Sequence, residues 1–151
     1  MFHVKQLIYI DEAYKQAEKA YKCNEVPVGA IVVYKNKIIA KAFNKKERKN
    51  NSLYHAEIIA INKACKKIKS WRLSECELYV TLEPCLMCAG LIIQNRISKV
   101  YYGCNDPKSG AFGGLFDINE IKGLNFYPEV ECLNHPKCSQ ILKMFFKEKR
   151  K

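Results

Sequence analysis

Residues 76–103 read CELYVTLEPCLMCAGLIIQNRISKVYYG, and the reading of this stretch decides the fold. CELYVTL (76–82) is a short apolar run of the kind that forms a buried strand. PCLMCAGLIIQNR (84–96) opens with proline, which is favoured at the first position of a helix. ISKVYYG (97–103) returns to strand composition. A strand, a helix and a second strand therefore follow one another within twenty-eight residues, the repeat unit of a sheet covered by helices.

The flanking sequence extends the pattern. Residues 4–22 place Val4, Leu7, Ile8, Ala17, Ala20 and Tyr21 mostly on one face of a helix. VPVGAIVVYKNKIIAKAF (26–43) gives two β-rich runs around YKNK, the pattern of a hairpin. In HAEIIAINKACKKI (55–68), Ile58, Ile61, Ala64, Cys65 and Ile68 recur at helical spacing. DPKSGAFGGLFD (106–117) is loop composition. A short strand is expected near 126–130, and a basic last helix from about Pro136, with Asn134 as its cap. The fold class is thus α/β: a three-layer α/β/α sandwich on a mixed, about five-stranded central sheet, with the leading hairpin making the sheet mixed. We expect a single domain spanning 1–151, the ordinary size for one core.

Hydrophobic residues make up 48% of the 151, which excludes a disordered chain. The amphipathic start meets Asp11 and Glu12 early and lacks the continuous apolar run of a signal peptide. The longest uncharged run, 84–95, is too short to span a bilayer. The protein is expected in the cytoplasm, with no membrane partner. Eight cysteines in such a chain suit small buried side chains or metal ligands better than disulfides. The net charge of +11 suggests a polyanion partner. Enrichment in Lys, Asn, Ile and Tyr in an AT-rich genome would produce the same total, so the distribution carries more information. Residues 35–49 and the tail KMFFKEKRK hold much of the excess. The tail sets Phe145 and Phe146 among cations, which suits stacking on unpaired bases and equally a helix whose Phe pair packs on the core.

Four residues in this frame carry chemistry. Cys85 and Cys88 sit three apart at a helix start, where a thiolate is stabilised and both sulfurs project from one side. His55 stands at the start of another helix. With His55, Cys85 and Cys88 as ligands a zinc site would be neutral and would have three protein ligands. Structural zinc is closed by four, whereas catalytic zinc keeps a position open for water. Glu57, two residues after His55, could border a site placed off the helix end and take the proton of an activated water. Taken alone, Glu57 would read as a solvated first-turn acid. Cys132, His135 and Cys138 in CLNHPKC resemble a second metal cluster on paper, but Pro136 and the helix start speak against it.

His-x-Glu followed by Pro-Cys-x-x-Cys is the known signature of zinc deaminases. Together with EVPVGAIVV, AFN, LYVTLEPCLMCAG, NRISKVYYG, DPKSGAFG and the MFFKEKRK tail, it makes the chain resemble the bacterial tRNA-specific adenosine deaminases, of the zinc cytidine and deoxycytidylate deaminase superfamily. The resemblance implies one Zn2+ per subunit on His55, Cys85 and Cys88, with Glu57 as proton shuttle. The reaction it implies is hydrolytic deamination of the wobble adenosine of an arginine tRNA anticodon to inosine. It further implies that Asn44 bonds the extruded nucleoside and that Val28, Ala56, Leu82 and Pro84 line its pocket. Asp106, Phe146 and Lys149 would touch flanking nucleotides of the anticodon stem-loop, and the protein would be a homodimer. Three segments depart from the family: GCND (103–106) lacks a basic residue found in some relatives, CLNHPKC (132–138) replaces an acidic helix start, and NNSLY (50–54) replaces a proline-containing approach to the histidine and sets Tyr54 beside it, which bears on the pocket rim. Two other readings share the residues: a zinc deaminase of a free base or nucleotide such as guanine or dCMP, and a zinc-stabilised RNA-binding module without catalysis. Glu57 separates the last from an enzyme, because a structural site has no need of it.

Overall fold

The computed structural model describes residues 4–149. In chain order these form α1 (Val4–Lys22), β1 (Gly29–Tyr34), β2 (Lys37–Phe43), α2 (Lys46–Lys49), α3 (Ala56–Ile68), β3 (Cys76–Leu82), α4 (Leu86–Gln94), β4 (Lys99–Cys104), β5 (Glu129–Cys132) and α5 (Pro136–Lys149). The expected hairpin is β1–β2, with Tyr34 opposite Lys37. Its two turn residues, Lys35 and Asn36, have φ of 50° and 63°, the backbone form whose twist matches that of the flanking strands.

The sheet has five strands in the order β2-β1-β3-β4-β5. β1 is antiparallel to both β2 and β3, while β3, β4 and β5 are parallel. All strands but β1 therefore point the same way. The helices that follow β2 and β3 must begin at the same edge of the sheet, the carboxyl edge, where open α/β sheets place their sites.

Alternation along the strands separates two apolar layers. Ile31, Val33, Tyr79 and Tyr101 pack on Ile10 and Ala13 of α1 and Cys138 of α5. Ala30, Val32, Leu78, Val80 and Val100 face Ala60, Ile61 and Ala64 of α3 and Ala89 and Ile92 of α4. Each fully buried aliphatic side chain contributes about 1.5–3 kcal/mol relative to exposure, so both faces of the sheet are held by burial. This is the three-layer α/β/α arrangement expected from the sequence, with β3 at its centre. Among the described residues no helix is long and apolar enough to cross a membrane.

Several local expectations need correction. Pro84 is not the first helical residue: α4 begins at Leu86, and Cys85 is the residue before it. β5 lies at 129–132 rather than 126–130, because Pro128 has no N–H to give the ladder, which starts with Glu129 opposite Lys99. Asn134 does not cap α5; it sits in a left-handed turn at φ 51° and accepts from the Cys132 thiol at 3.5 Å. The short helix α2 has no counterpart in the pattern read from the sequence. The tail divides its two aromatics: Phe145 is 7% exposed in the core, and Phe146 is 45% exposed. Lys149 holds its ammonium 5.5 Å above the Phe145 ring. Arg150 and Lys151, the last two cations of that tail, lie outside the described residues.

Candidate active site

His55 is the residue immediately before α3, and Cys85 is the residue immediately before α4; neither uses its side chain to cap its helix. Both side chains are thus left free at the carboxyl edge of the sheet. Cys88, one turn into α4, faces the same point. The His55 Nδ1 atom lies 3.8 Å from Cys85 Sγ and 3.5 Å from Cys88 Sγ. One donor atom from each of the three residues falls within 4.8 Å of the others, a group able to hold a metal ion. Among the described residues no fourth His, Cys, Asp or Glu joins this group.

The second cluster suggested by CLNHPKC does not form. His135 Nε2–H donates to the Asp11 carboxylate at 2.7 Å, and its ring stacks on Tyr14, tying the start of α5 to α1. Cys138 is buried against Gly103, and Cys132 is engaged with Asn134.

The protonation pattern of the three-residue group follows from its packing. The Cys85 thiol is drawn down to about 3, chiefly by the Cys88 S–H and further by His55, against the opposing effect of burial. Cys88 is pushed up by the same sulfur–sulfur contact and by burial. The His55 ring is raised above its usual 6.5 mainly by its hydrogen bond with Cys85. One proton is thus left between two sulfurs, and Cys85 is the thiolate. Glu57, in the first turn of α3, is only 4% exposed. Burial pushes its carboxyl up to about 7, the range in which a group can both take and give a proton.

A pocket of about 180 Å³ opens over this group, lined by His55, Glu57 and Cys85. Val28, Asn44, Ala56, Leu82 and Asp106 line it too, so the structure brings together residues from around β1, β2, α3, β3 and the loop after β4. Asn44 is buried; its Nδ2 donates to the Val26 carbonyl at 3.2 Å and its Oδ1 accepts from the Lys46 N–H at 3.1 Å. Pro84 is buried but does not line the pocket: its carbonyl accepts from Ala111 N–H under the glycine-rich loop. Phe146 and Lys149 lie on α5 and are not part of the lining either. Tyr54 turns away from the site. It lines a separate apolar groove of about 390 Å³ with Ile58, Ile61, Cys65 and Leu91.

Val26, Lys46, Glu83 and Ser109 complete the lining; Val26, Glu83 and Ser109 fall inside the motif segments quoted above, which gave them no role. Glu83 is the most telling of them. It is 2% exposed and accepts from the backbone N–H groups of Asp106, Phe112 and Gly114 at 2.9, 2.9 and 2.8 Å. A Cβ at Gly110 would stand 2.2 Å from the Glu83 carboxyl carbon, so that loop position is restricted to glycine. Its signal in the sequence is an acid at the end of a buried strand, directly before Pro84 and Cys85.

The comparisons with known proteins agree with this geometry. Residues 4–150 match the MafB19-like deaminase family. The tRNA-specific adenosine deaminase of Bacillus subtilis is 43% identical over 95% of this chain and 90% of its own. The chain belongs to the tRNA-specific adenosine deaminase family. The corresponding protein of Rickettsia bellii is 48% identical over 92% of this chain and 98% of its own. A solved structure from a study of A-to-I editing by tRNA deaminases at the wobble position of transfer RNA superposes with a TM-score of 0.84. It is 35% identical and covers 90% of this chain and 99% of that one. The five-stranded mixed sheet and its helices are therefore the deaminase fold, and the chain is a hydrolase of that family.

Proposed function

We propose that this deaminase converts the wobble adenosine of a tRNA anticodon, that of an arginine tRNA, to inosine by hydrolysis, with release of ammonia. The observation that carries this reading is the pairing of an open three-ligand group, His55, Cys85 and Cys88, with the buried carboxyl of Glu57 in one pocket.

The residues fit zinc. Zinc–sulfur and zinc–nitrogen bonds of about 2.3 and 2.0 Å in a tetrahedron would put sulfur and nitrogen roughly 3.5 Å apart, and the two S···N separations here are 3.8 and 3.5 Å. When bound, zinc supplies Lewis-acid activation of water as the nucleophile for carbon 6 of the adenine ring. The chain's own residues do the rest. Glu57 takes a proton from the water and delivers it to ring nitrogen N1. It then carries the second proton to the exocyclic amine, which leaves as ammonia while the ring keeps the oxygen. Val28, Ala56 and Leu82 enclose the base, and Asn44, held from two sides, presents its remaining amide hydrogen to the nucleoside. The anticodon loop suits the pocket because its bases are already unpaired, which lowers the cost of extruding one.

The family resemblance further supports a homodimer, a single deaminase domain, contacts from Asp106, Phe146 and Lys149 to flanking nucleotides, and a cytoplasmic location where tRNA is found. The test is to incubate zinc-loaded protein with an arginine tRNA bearing a wobble adenosine and to sequence the anticodon. Inosine, read as guanosine at that position, is the expected result. Ammonia from free guanine, cytosine or dCMP with no inosine in the tRNA would overturn the reading in favour of a small-molecule deaminase.

A further inference from the structure

The wall of the pocket on the β1–β2 side ends in a segment that the reaction does not account for. Residues 45–49 read Lys-Lys-Glu-Arg-Lys, and the last four form α2. Lys46 lines the pocket with Asn44 and Val26, across from Asp106 and Ser109 on the side of β4. Lys46, Arg48 and Lys49 are exposed. Among the described residues none of the three has an ion-pair or aromatic partner. A rim of uncompensated cations thus stands at the mouth of a site that takes a polyanion.

This rim is built rather than loose. Glu25 lies in the connection after α1, is 1% exposed, and accepts from the backbone N–H groups of Glu47 and Arg48 at 2.9 and 2.6 Å. The Asn44 side chain accepts from Lys46 N–H, and the Tyr54 carbonyl accepts from Lys45 N–H at 2.9 Å. Four successive backbone donors are therefore satisfied inside the protein. None is left to bind an anion, so any anion contact there falls to the side chains. A buried carboxylate supported by two backbone N–H groups is costly to leave without them, so Glu25 fixes the segment and with it the direction of the three cations.

We propose that α2 is a contact surface for the phosphate backbone of the substrate RNA, on the side of the pocket opposite Asp106, and that Glu25 is its positioning residue. The inference rests on the RNA-editing reading given above and deepens it. Lysine and arginine meeting phosphate release bound counterions. Removing one such cation therefore makes the affinity less dependent on salt, by about 0.7 in the logarithmic slope for single-stranded RNA.

The test measures kcat/KM for an anticodon stem-loop with a wobble adenosine as a function of potassium chloride. It uses the wild type, the triple variant Lys46→Ala, Arg48→Ala, Lys49→Ala, the variant Glu25→Gln, and the combination. The triple variant should lose roughly tenfold or more at about 0.1 M salt and show a slope shallower by about two, with zinc content and thermal midpoint unchanged. Glu25→Gln should lose activity in the same direction and add no more than about twofold to the triple variant, because it acts through the same cations. A wild type that does not edit the RNA would remove the underlying reading. A wild type that edits, with a triple variant of unchanged rate and slope, would overturn the α2 surface. Full additivity of Glu25→Gln, loss of its zinc, or its failure to fold would overturn the positioning role, and the triple variant would still decide the surface.

Discussion

The carboxylate of Glu83 accepts a hydrogen bond from the backbone N–H of Phe112 at 2.9 Å, across twenty-nine residues of sequence. With the parallel bonds from Asp106 and Gly114, it ties the glycine-rich loop to the end of β3, and the loop carries Asp106 and Ser109 to the pocket. Glu83→Ala leaves three inward-facing donors without a partner. At about 1–3 kcal/mol for each unsatisfied donor, partly relieved by entering water, the loss is roughly 3 kcal/mol, or about 6–12 °C in thermal midpoint for a chain of this size. Hydrogen exchange at the amides of Phe112 and Gly114 should accelerate together. An unchanged midpoint with unchanged exchange would show that the loop holds itself.

Glu83 and Glu25 also mark where the sequence stops being legible. The β3–α4–β4 unit declares itself locally, by apolar runs of strand length and a helix between them, and so does the hairpin at Lys35–Asn36. The candidate site is legible because Cys85 and Cys88 share a turn and because His55 and Glu57 sit at a helix start. What a buried carboxylate does is set by backbone groups far along the chain: Glu25 serves Glu47 and Arg48, and Glu83 serves Asp106, Phe112 and Gly114. No periodicity encodes such a pairing. The shift of β5 is in principle readable from Pro128, whose missing donor bars it from the ladder.

Tyr54, by its place beside His55 in the sequence, belongs on the pocket rim. In the fold it lines the apolar groove along α3 and α4 instead, and its backbone carbonyl, not its ring, reaches Lys45 near the site. Tyr54→Phe keeps the ring in the groove and removes only the hydroxyl. Its editing rate and zinc content should match the wild type within about twofold. A drop of tenfold or more in kcat would place the hydroxyl in the chemistry and contradict this geometry.

Glu57 distinguishes an enzyme from a zinc-stabilised binding module. Its carboxyl is buried beside the ligand group without belonging to it, so Glu57→Gln should retain full zinc and the same fold. General acid–base catalysis contributes typically 10²–10⁴-fold, and a loss of kcat of about that size is expected, with RNA affinity retained. Zinc by elemental analysis, affinity by gel shift and inosine by sequencing give the three readings. Loss of zinc would make Glu57 a ligand, and unchanged turnover would end its role as proton shuttle.

Metal removal should act on fold as well as chemistry, because a metal held by His55, Cys85 and Cys88 would cross-link the starts of α3 and α4. Chelation is expected to lower the thermal midpoint and restored zinc to recover it. The protons follow from the packing of the group: Cys85 is already a thiolate, whereas Cys88 carries the proton shared between the sulfurs. Zinc binds thiolates and neutral imidazole, so uptake near pH 7 should release about one proton from the cysteine pair, plus whatever His55 carries from its raised affinity. Since binding expels protons, apparent zinc affinity should fall as the pH is lowered. Calorimetry in buffers of different ionisation heats counts the protons directly. A release of zero would mean that Cys88 does not ligate as a thiolate, leaving His55 and Cys85 too few to hold the ion.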